Sequence, residues 1–295
     1  MTTMTSELSI EERREQALAA LPPYRRPGRA VRTGRWLRAH LIQFLAALAL
    51  LYTFAPIFVV VLFSFNNPDG RYNYVWTDFS TKAWVNVWQD TDITDSLILS
   101  IQIAVLVTIV STVLGTLIAF ALGRFRFRGR ASTNLLIFMP MATPEVVMGS
   151  SLLTLFVTLG LESELGFGTI TIAHIMFCIS FVVVTVKARI AGLDPRLEQA
   201  AMDLYADEKT TFRKVTFPLV LPGIVAGAML AFALSFDDFV ITNFTSGVTV
   251  TFPMYVWGAY QRGIPPEANV VGALMFLVAV IVVVIPEIVR RVQRR

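Results

Sequence analysis

The segment Leu197-Glu198-Gln199-Ala200-Ala201-Met202-Asp203-Leu204-Tyr205 is a polar interruption between two long apolar runs, and it continues to Lys214-Val215-Thr216-Phe217-Pro218. Its apolar residues recur at i, i+3, i+4, i+7 and i+8, which is typical of one face of an amphipathic helix. They are Leu197, Ala200, Ala201, Leu204 and Tyr205. The preceding Asp194-Pro195 pairs a good N-cap with a proline suited to the first helical position. The pattern predicts a short helix with an apolar face and a polar rim of Glu198, Gln199 and Asp203.

The remainder of the chain is apolar enough for a membrane protein. The mean hydropathy is +0.63, and only 16% of the 295 residues are charged, which excludes a soluble domain with one core. Six runs are long enough to cross a hydrocarbon layer of about 30 Å, where only helices satisfy the backbone of such a segment. They cover about residues 40–65, 97–122, 132–160, 169–186, 219–244 and 270–289. We predict an all-α polytopic fold of six transmembrane helices, with an N-terminal tail at residues 1–38 and one membrane domain at residues 39–295.

The distribution of positive charge predicts the orientation. Of the 25 lysines and arginines, all except Arg71, Lys82 and Arg262 lie in the tail, in the loop after the second run, in the loop of the polar helix or at the C-terminal end. Basic loops remain on the cytoplasmic side, so both termini and the polar helix are predicted to be cytoplasmic. The net charge of +4 then reflects topology and contact with anionic lipid, not nucleic-acid binding. The tail lacks the features of a cleavable signal peptide.

The sequence offers few residues for metal or covalent chemistry. Cys178 is the only cysteine and lies in the middle of a predicted span, so neither a disulfide nor a cysteine-based metal site is expected. His40 and His174 are isolated and are interpreted as an interfacial residue and a helix-packing residue. We predict no catalytic residue, no metal site and no cofactor bound by this chain. A membrane enzyme is disfavoured because no His/Cys/Asp cluster or serine-nucleophile signature is present.

Residue identities around the polar helix resemble those of a transporter family. The run Glu198 to Leu204, followed by Arg213 to Pro218, resembles the EAA loop of type I binding-protein-dependent ABC importer permeases. That pattern is Glu-Ala-Ala, a glycine four positions on and a later Leu-Pro. Three further stretches look like the spermidine/putrescine subgroup, and specifically its second permease subunit. They are residues 140–148, 181–186 and 235–242.

The resemblance implies an importer of several parts in the cell membrane. Its expected partners are a dimer of ATP-binding subunits that hold ATP and Mg, a sister permease and an external substrate-binding protein. This chain would form half of a polyamine path and work by alternating access, with its EAA helix docked on the ATPase. The sequence has no GxxxxGK[ST] phosphate loop, so ATP hydrolysis is expected on a separate subunit. The resemblance implies a coupling loop at residues 192–218, with Pro218 at the start of the next span. The residues to which it assigns coupling are Glu198, Gln199, Ala200, Ala201, Asp203, Leu204, Tyr205 and Pro218.

Two positions depart from the family pattern. If Ala200 and Ala201 are the alanine pair, Gln199 occupies the glutamate position, with Glu198 one residue early, and Tyr205 occupies the glycine position. Glycine there permits a left-handed turn that ends the helix, whereas tyrosine in that conformation costs on the order of 1 kcal/mol. Either the helix ends differently in this chain or the partner's groove has changed to match.

Three acids lie within or at the ends of the apolar runs: Glu145, Asp237 and Asp238. A carboxylate at the centre of a bilayer costs about 2.5 to 3.5 kcal/mol on insertion scales, so such residues usually face a cavity. With a polyamine cargo these acids would pair with its ammonium groups, while aromatic rings cover its methylenes. The candidate rings are Phe236, Phe239, Trp257 and Tyr260. Alternatively, the two aspartates lie at the outer interface and Glu145 caps a helix broken by Pro140 and Pro144.

Other functions and placements stay open on the sequence alone. The polar helix has the periodicity of a helix that rests on the lipid interface. A stand-alone secondary transporter or channel for small cations would also use intramembrane acids, but it would favour internal inverted repeats, and the two halves show no convincing similarity. An ABC permease for another small solute is a further alternative.

Overall fold

Helices make up nearly all the regular structure of this chain. A computed structural model describes residues 29–70 and 72–293, which contain one isolated bridge, between Asn66 and Phe79, besides their helices. Arg71, residues 1–28 of the predicted tail and residues 294–295 lie outside the described residues. The helices are α1 (Arg29–Phe63), α2 (Lys82–Asn86), α3 (Thr91–Arg124), α4 (Arg130–Ala142), α5 (Glu145–Thr158), α6 (Phe167–Ala191), α7 (Arg196–Asp203), α8 (Glu208–Thr211), α9 (Phe217–Asp237), α10 (Val240–Thr245), α11 (Phe252–Arg262) and α12 (Pro266–Gln293). A π-helical turn, Phe212–Thr216, joins α8 to α9.

Several of these helices are long and apolar enough to cross a membrane. Four qualify singly, and α4 with α5 makes a fifth if the bent pair counts as one span. The four are Ala39–Phe63, Thr91–Arg124, Phe167–Ala191 and Glu208–Asp237. The sixth predicted run falls in α12, Pro266–Gln293, whose described part includes the apolar stretch Pro266–Ile281. The described residues confirm a multi-pass helical protein, while the count of six spans stays a prediction.

The third predicted span, residues 132–160, is not one straight helix. α4 and α5 meet at 107° across Thr143 and Pro144. A residue before proline is pushed out of the helical region, and Thr143 has the extended angles φ −81° and ψ 131°. Pro140, by contrast, lies inside α4. The break makes Glu145 the first residue of α5, where its negative charge is favoured by the helix dipole.

The fifth predicted span, residues 219–244, differs at both ends. The helical stretch begins earlier, at Glu208, so Pro218 lies in the first turn of α9 and does not open the span. It ends at Asp237, because Asp238 takes the non-helical angles φ −65° and ψ 117°. The chain then resumes as the separate helix α10 at Val240. The motif around Asp238 is therefore a helix break and not part of a continuous span.

Packing divides the chain into a unit that ends at Phe58 and a unit from Val59 onward. In the first unit the described residues belong to α1. In the second, α3, α6 and α9 pack on one another and form the main core. A small residue permits the close approach of α3 to α6, since a Cβ added at Gly115 would lie 2.7 Å from Cγ1 of Val182. Around this contact the core is aliphatic, with Val107, Ala119, Val186 and Val220 fully buried.

Candidate functional site

The predicted polar helix is present as α7, Arg196–Asp203. The Asp194 carboxylate accepts a hydrogen bond from the backbone N–H of Arg196 at 2.9 Å, and Pro195 occupies the N-cap position. The helix therefore starts one residue later than the sequence predicted. Leu197, Ala200 and Leu204 are exposed, so the predicted apolar face is left uncovered by the described part of the chain.

The C-terminal end of α7 is closed by a left-handed turn at Tyr205. Among the described residues, Tyr205 is the only non-glycine with a positive φ, at +63°. The Ala206 N–H donates to the carbonyl of Ala201 at 3.1 Å, and the Tyr205 N–H donates to the carbonyl of Met202 at 2.9 Å. This bond pair is the Schellman motif, in which glycine usually occupies the left-handed position. The helix thus ends in the left-handed turn that glycine would permit, and the tyrosine side chain at this position is 99% exposed.

Glu198, a residue of the predicted polar rim, is only partly exposed. Its carboxylate turns toward its own chain, where Oε2 lies 2.5 Å from Nη1 of Arg124 and Oε1 lies 2.5 Å from Nη2. The Thr216 hydroxyl also donates to Oε1. The hydrogen bond from Arg124, with help from Thr216, holds the pKa of Glu198 below its usual range. The other two rim residues, Gln199 and Asp203, are exposed.

His174, predicted as a helix-packing residue, lies in a buried polar cluster at the break after α9. Its Nδ1 is 2.9 Å from the Ser235 hydroxyl oxygen, and its Nε2 is 3.0 Å from that of Thr242. Asp238 completes the cluster, with Oδ1 accepting from the Thr242 N–H at 3.1 Å and lying 3.8 Å from His174 Nε2. The Asp238 side chain is only 4% exposed. In this conformation its carboxylate is therefore enclosed by protein and does not face an open path.

Most of the other predicted path residues are exposed or partly exposed. Glu145 and Asp237 are exposed and interact electrostatically with Asp238. Phe239 lies 5.2 Å from Trp257 between ring centroids, and Trp257 lies 6.3 Å from Tyr260. These pairs form a partly exposed aromatic patch.

Phe236 is absent from the aromatic patch. Its ring is buried and stacks on Phe232, with the centroids 6.1 Å apart, and it also contacts Phe252. Neighbouring positions on a helix point in different directions, which is why Phe236 and Asp237 differ in exposure although they are adjacent in sequence. Phe236 is therefore buried in this conformation, and its place on the path stays a prediction.

Sequence reasoning missed a cavity of about 500 Å³ at the N-terminal end of α3. Asp92 and Asp95 line it together with Tyr255 and Arg262. Burial, followed by the charges of nearby acids, raises the pKa of Tyr255 to about 12, so its hydroxyl stays protonated. The signal in the sequence was the pair of acids in the first turns of a long apolar helix. Within the described ranges, no group of three or more His, Cys, Asp or Glu side chains is arranged to hold a metal.

A multi-pass helical protein with acids at its helix breaks belongs to the class of polytopic membrane proteins in which such acids typically mark transport pathways. Comparison with known proteins narrows that class. This chain belongs to the family described as binding-protein-dependent transport system inner membrane component, which matches residues 111–295. It is therefore a transport permease of the inner membrane component family.

Curated relatives resemble most of the chain. It is 36% identical over 241 residues to the spermidine/putrescine transport system permease protein PotC of Haemophilus influenzae, covering 81% of this chain and 92% of the relative. It is 34% identical over 259 residues to PotC of Escherichia coli K12, covering 88% and 95%. It is 37% identical over 230 residues to the putrescine transport system permease protein PotI of the same organism, covering 76% and 81%.

A solved structure resembles the fold. It is a bacterial ABC transporter involved in the import of the acidic polysaccharide alginate, and the match has a TM-score of 0.60. The match covers 90% of this chain and 99% of that chain at 19% identity. At this identity the likeness concerns the fold alone, and it agrees with the predicted type I permease fold.

Proposed function

We propose that this chain forms half of the translocation path of an ABC importer for polyamines and receives ATP-driven motion through α7. The names of the curated relatives support the cargo. The expected partners are a sister permease, an external substrate-binding protein and two ATP-binding subunits that carry ATP and Mg. With the basic loops inside, both termini and α7 lie in the cytoplasm.

The observation that supports coupling most strongly is the exposed apolar face of α7. Leu197, Ala200 and Leu204 point away from the described chain, and exposed apolar patches often mark interaction sites. The small side chain of Ala200 permits another backbone to approach closely. The turn at Tyr205 ends the helix and places a fully exposed ring beside this face. A short helix with such a face and a fixed end suits a groove on a partner subunit.

For the cargo, Glu145 and Asp237 supply exposed negative charge at two adjacent helix breaks. Trp257 and Tyr260 supply partly exposed aromatic faces close by the second break, through the contact of Trp257 with Phe239. Carboxylates pair with ammonium groups, and aromatic faces attract cations and cover methylenes. The combination matches a flexible chain of methylenes that carries several positive charges.

The test of coupling is ATP hydrolysis by the complete importer. In reconstituted complexes, Ala200→Glu is expected to abolish the hydrolysis stimulated by polyamine-loaded binding protein, because a charge is forced into the contact. Ala131→Glu is the matched control, since Ala131 is also an exposed helical alanine but lies in α4. Normal stimulation in Ala200→Glu refutes coupling through α7 and favours a helix that rests on lipid.

The identity of the cargo and the class of transporter need separate measurements. Stimulation by another small solute, with none by spermidine or putrescine, overturns the polyamine assignment but leaves the permease assignment intact. Polyamine uptake by this chain in vesicles without an ATP-binding subunit overturns the importer assignment in favour of a secondary transporter or channel.

A further inference from the structure

We infer that Arg124 is a positioning residue for coupling, which holds α7 against the cytoplasmic ends of two spans through Glu198. This inference rests on the proposed coupling function of α7. Arg124 is the last residue of α3, while Thr216 ends the π-helical turn that leads into α9. Glu198 contacts both. One carboxylate therefore joins α3, α7 and the start of α9.

The contact between Arg124 and Glu198 is bidentate, that is, a fork of two parallel hydrogen bonds. Each of the two Nη atoms lies 2.5 Å from a different carboxylate oxygen. A fork of this kind sets the orientation of the two planes as well as their separation, which a lysine ammonium cannot do. Because Glu198 lies in the first turn of α7, the fork restricts rotation of the short helix about its own axis. Such a restriction keeps the apolar face of α7 directed outward.

The surroundings of the pair strengthen it. The Arg124 side chain is 33% exposed and that of Glu198 is 20% exposed, so both are partly withdrawn from water. They line a mainly apolar cavity of about 490 Å³ together with Phe120, Met202 and Phe212. Partial removal from water weakens dielectric screening, so such a pair is held more firmly than one on an open surface.

The geometry also separates positioning from folding. Phe120 of α3 contacts Phe212 of the π-helical turn, with ring centroids 5.5 Å apart. α3 and α9 also pack on each other within the main hydrophobic core of the second unit. These spans remain joined without Arg124, whereas α7 is joined to the rest of the chain mainly through α8 and the π-helical turn. Loss of the fork is therefore expected to free α7 and leave the spans in place.

The same contacts give Glu198 a role different from that of its neighbours. Both of its oxygens are engaged within the chain, whereas Leu197 and Ala200 are exposed. The partner-facing surface of α7 is therefore apolar, and Glu198 anchors that surface to the spans. A force applied to the exposed face is passed through the anchor to α3 and α9 together.

The experiment compares polyamine uptake per ATP hydrolysed in reconstituted complexes. Arg124→Ala is expected to lower this ratio by about tenfold, a size consistent with the loss of charge-assisted hydrogen bonds. Arg124→Lys keeps the charge but not the fork, so a smaller loss is expected. Arg126→Ala is the control, because Arg126 is exposed and no described acidic side chain forms an ion pair with it. Equal assembly and equal melting temperature of the complexes are required for the comparison.

Charge reversal provides the second arm. Arg124→Glu alone is expected to uncouple without lowering the melting temperature, which a merely structural role would lower, and adding Glu198→Arg is expected to restore the ratio. If Arg124→Ala is not recovered in the membrane, the reversal pair and Thr216→Val decide the question. An unchanged ratio in Arg124→Ala, or no restoration by the reversal, overturns the inference. If Ala200→Glu still loses stimulation, the coupling function of α7 stands; if Ala200→Glu behaves normally, that function itself fails.

Discussion

The Nδ1 atom of His174 lies 2.9 Å from the hydroxyl oxygen of Ser235, inside the packed helices of the second unit. His174 belongs to α6 and Ser235 to the last turns of α9. On its other side the imidazole meets Thr242 of α10, so one ring connects the segments before and after the break at Asp238. An unpaired polar group inside a bilayer is costly. Backbone groups at the break are satisfied by side chains, because the Asp238 carboxylate accepts from the Thr242 N–H at 3.1 Å and the Thr242 hydroxyl donates to the Asp238 carbonyl oxygen at 2.9 Å.

Ser235→Ala is expected to destabilise the protein by about 1 kcal/mol, because it leaves one nitrogen of His174 without its buried partner. The measurement is the thermal unfolding midpoint in detergent. Ser111→Ala is a matched control, since Ser111 is also buried but its hydroxyl has no hydrogen-bond partner among the described residues. Equal midpoints for the two variants would contradict a stabilising role for the bond to His174.

Gly115→Ala is expected to disturb the contact between α3 and α6. The added Cβ would lie 2.7 Å from Cγ1 and 2.8 Å from Cβ of Val182, and overpacking of this kind typically costs about 1 to 3 kcal/mol. Gly168→Ala is the control, because nothing lies within 4 Å of its added Cβ. Adding Val182→Ala to Gly115→Ala should recover part of the loss in unfolding midpoint. A double variant no more stable than Gly115→Ala alone would show that the close approach is not the cause.

Apolar length and helical period predicted the elements well where each depends on local sequence. α3 contains the apolar run 97–122, α6 contains the run 169–186, and α7 lies within the polar segment. Run length alone predicted a continuous third span, whereas the alternative of a helix broken before Glu145 follows from the restriction on the residue before Pro144, and the structure has that break. Run length also missed the break at Asp238, which lies in an apolar context and is held by His174, Ser235 and Thr242 from other turns and helices.

The orientation of Glu198 was beyond sequence reasoning for a different reason. Its partner Arg124 is 74 positions away along the chain, and periodicity reports which face of a helix is apolar but not what the opposite face meets. Charge counting had assigned Arg124 to topology alone. The conformation of Tyr205 could be predicted only in part, since glycine at this position of the family pattern permits a left-handed turn, and this chain makes that turn with a tyrosine.

Tyr205→Gly is expected to stabilise the C-terminal end of α7 by about 1 kcal/mol or less, because glycine adopts φ of +63° without a steric penalty. Tyr205→Ala removes the exposed ring but keeps a Cβ, so it is expected to give no comparable gain. Protection of the α7 backbone from hydrogen exchange, compared among the three proteins in the assembled complex, measures the difference. Equal protection in the glycine and alanine variants would show that strain at this residue is negligible.

Asp237 is expected to matter more for transport than Asp238, because Asp237 is exposed whereas the Asp238 side chain is buried. Asp237→Asn removes an exposed charge at the break, so polyamine uptake at matched expression is expected to fall several-fold. Asp238→Asn retains an oxygen to accept from the Thr242 N–H, and a smaller loss is expected. Asp69→Asn, at an exposed position in the loop after α1, controls for a general effect of acidic charge on binding. Unchanged uptake when Asp237→Asn is combined with Glu145→Gln would remove both carboxylates from the proposed path.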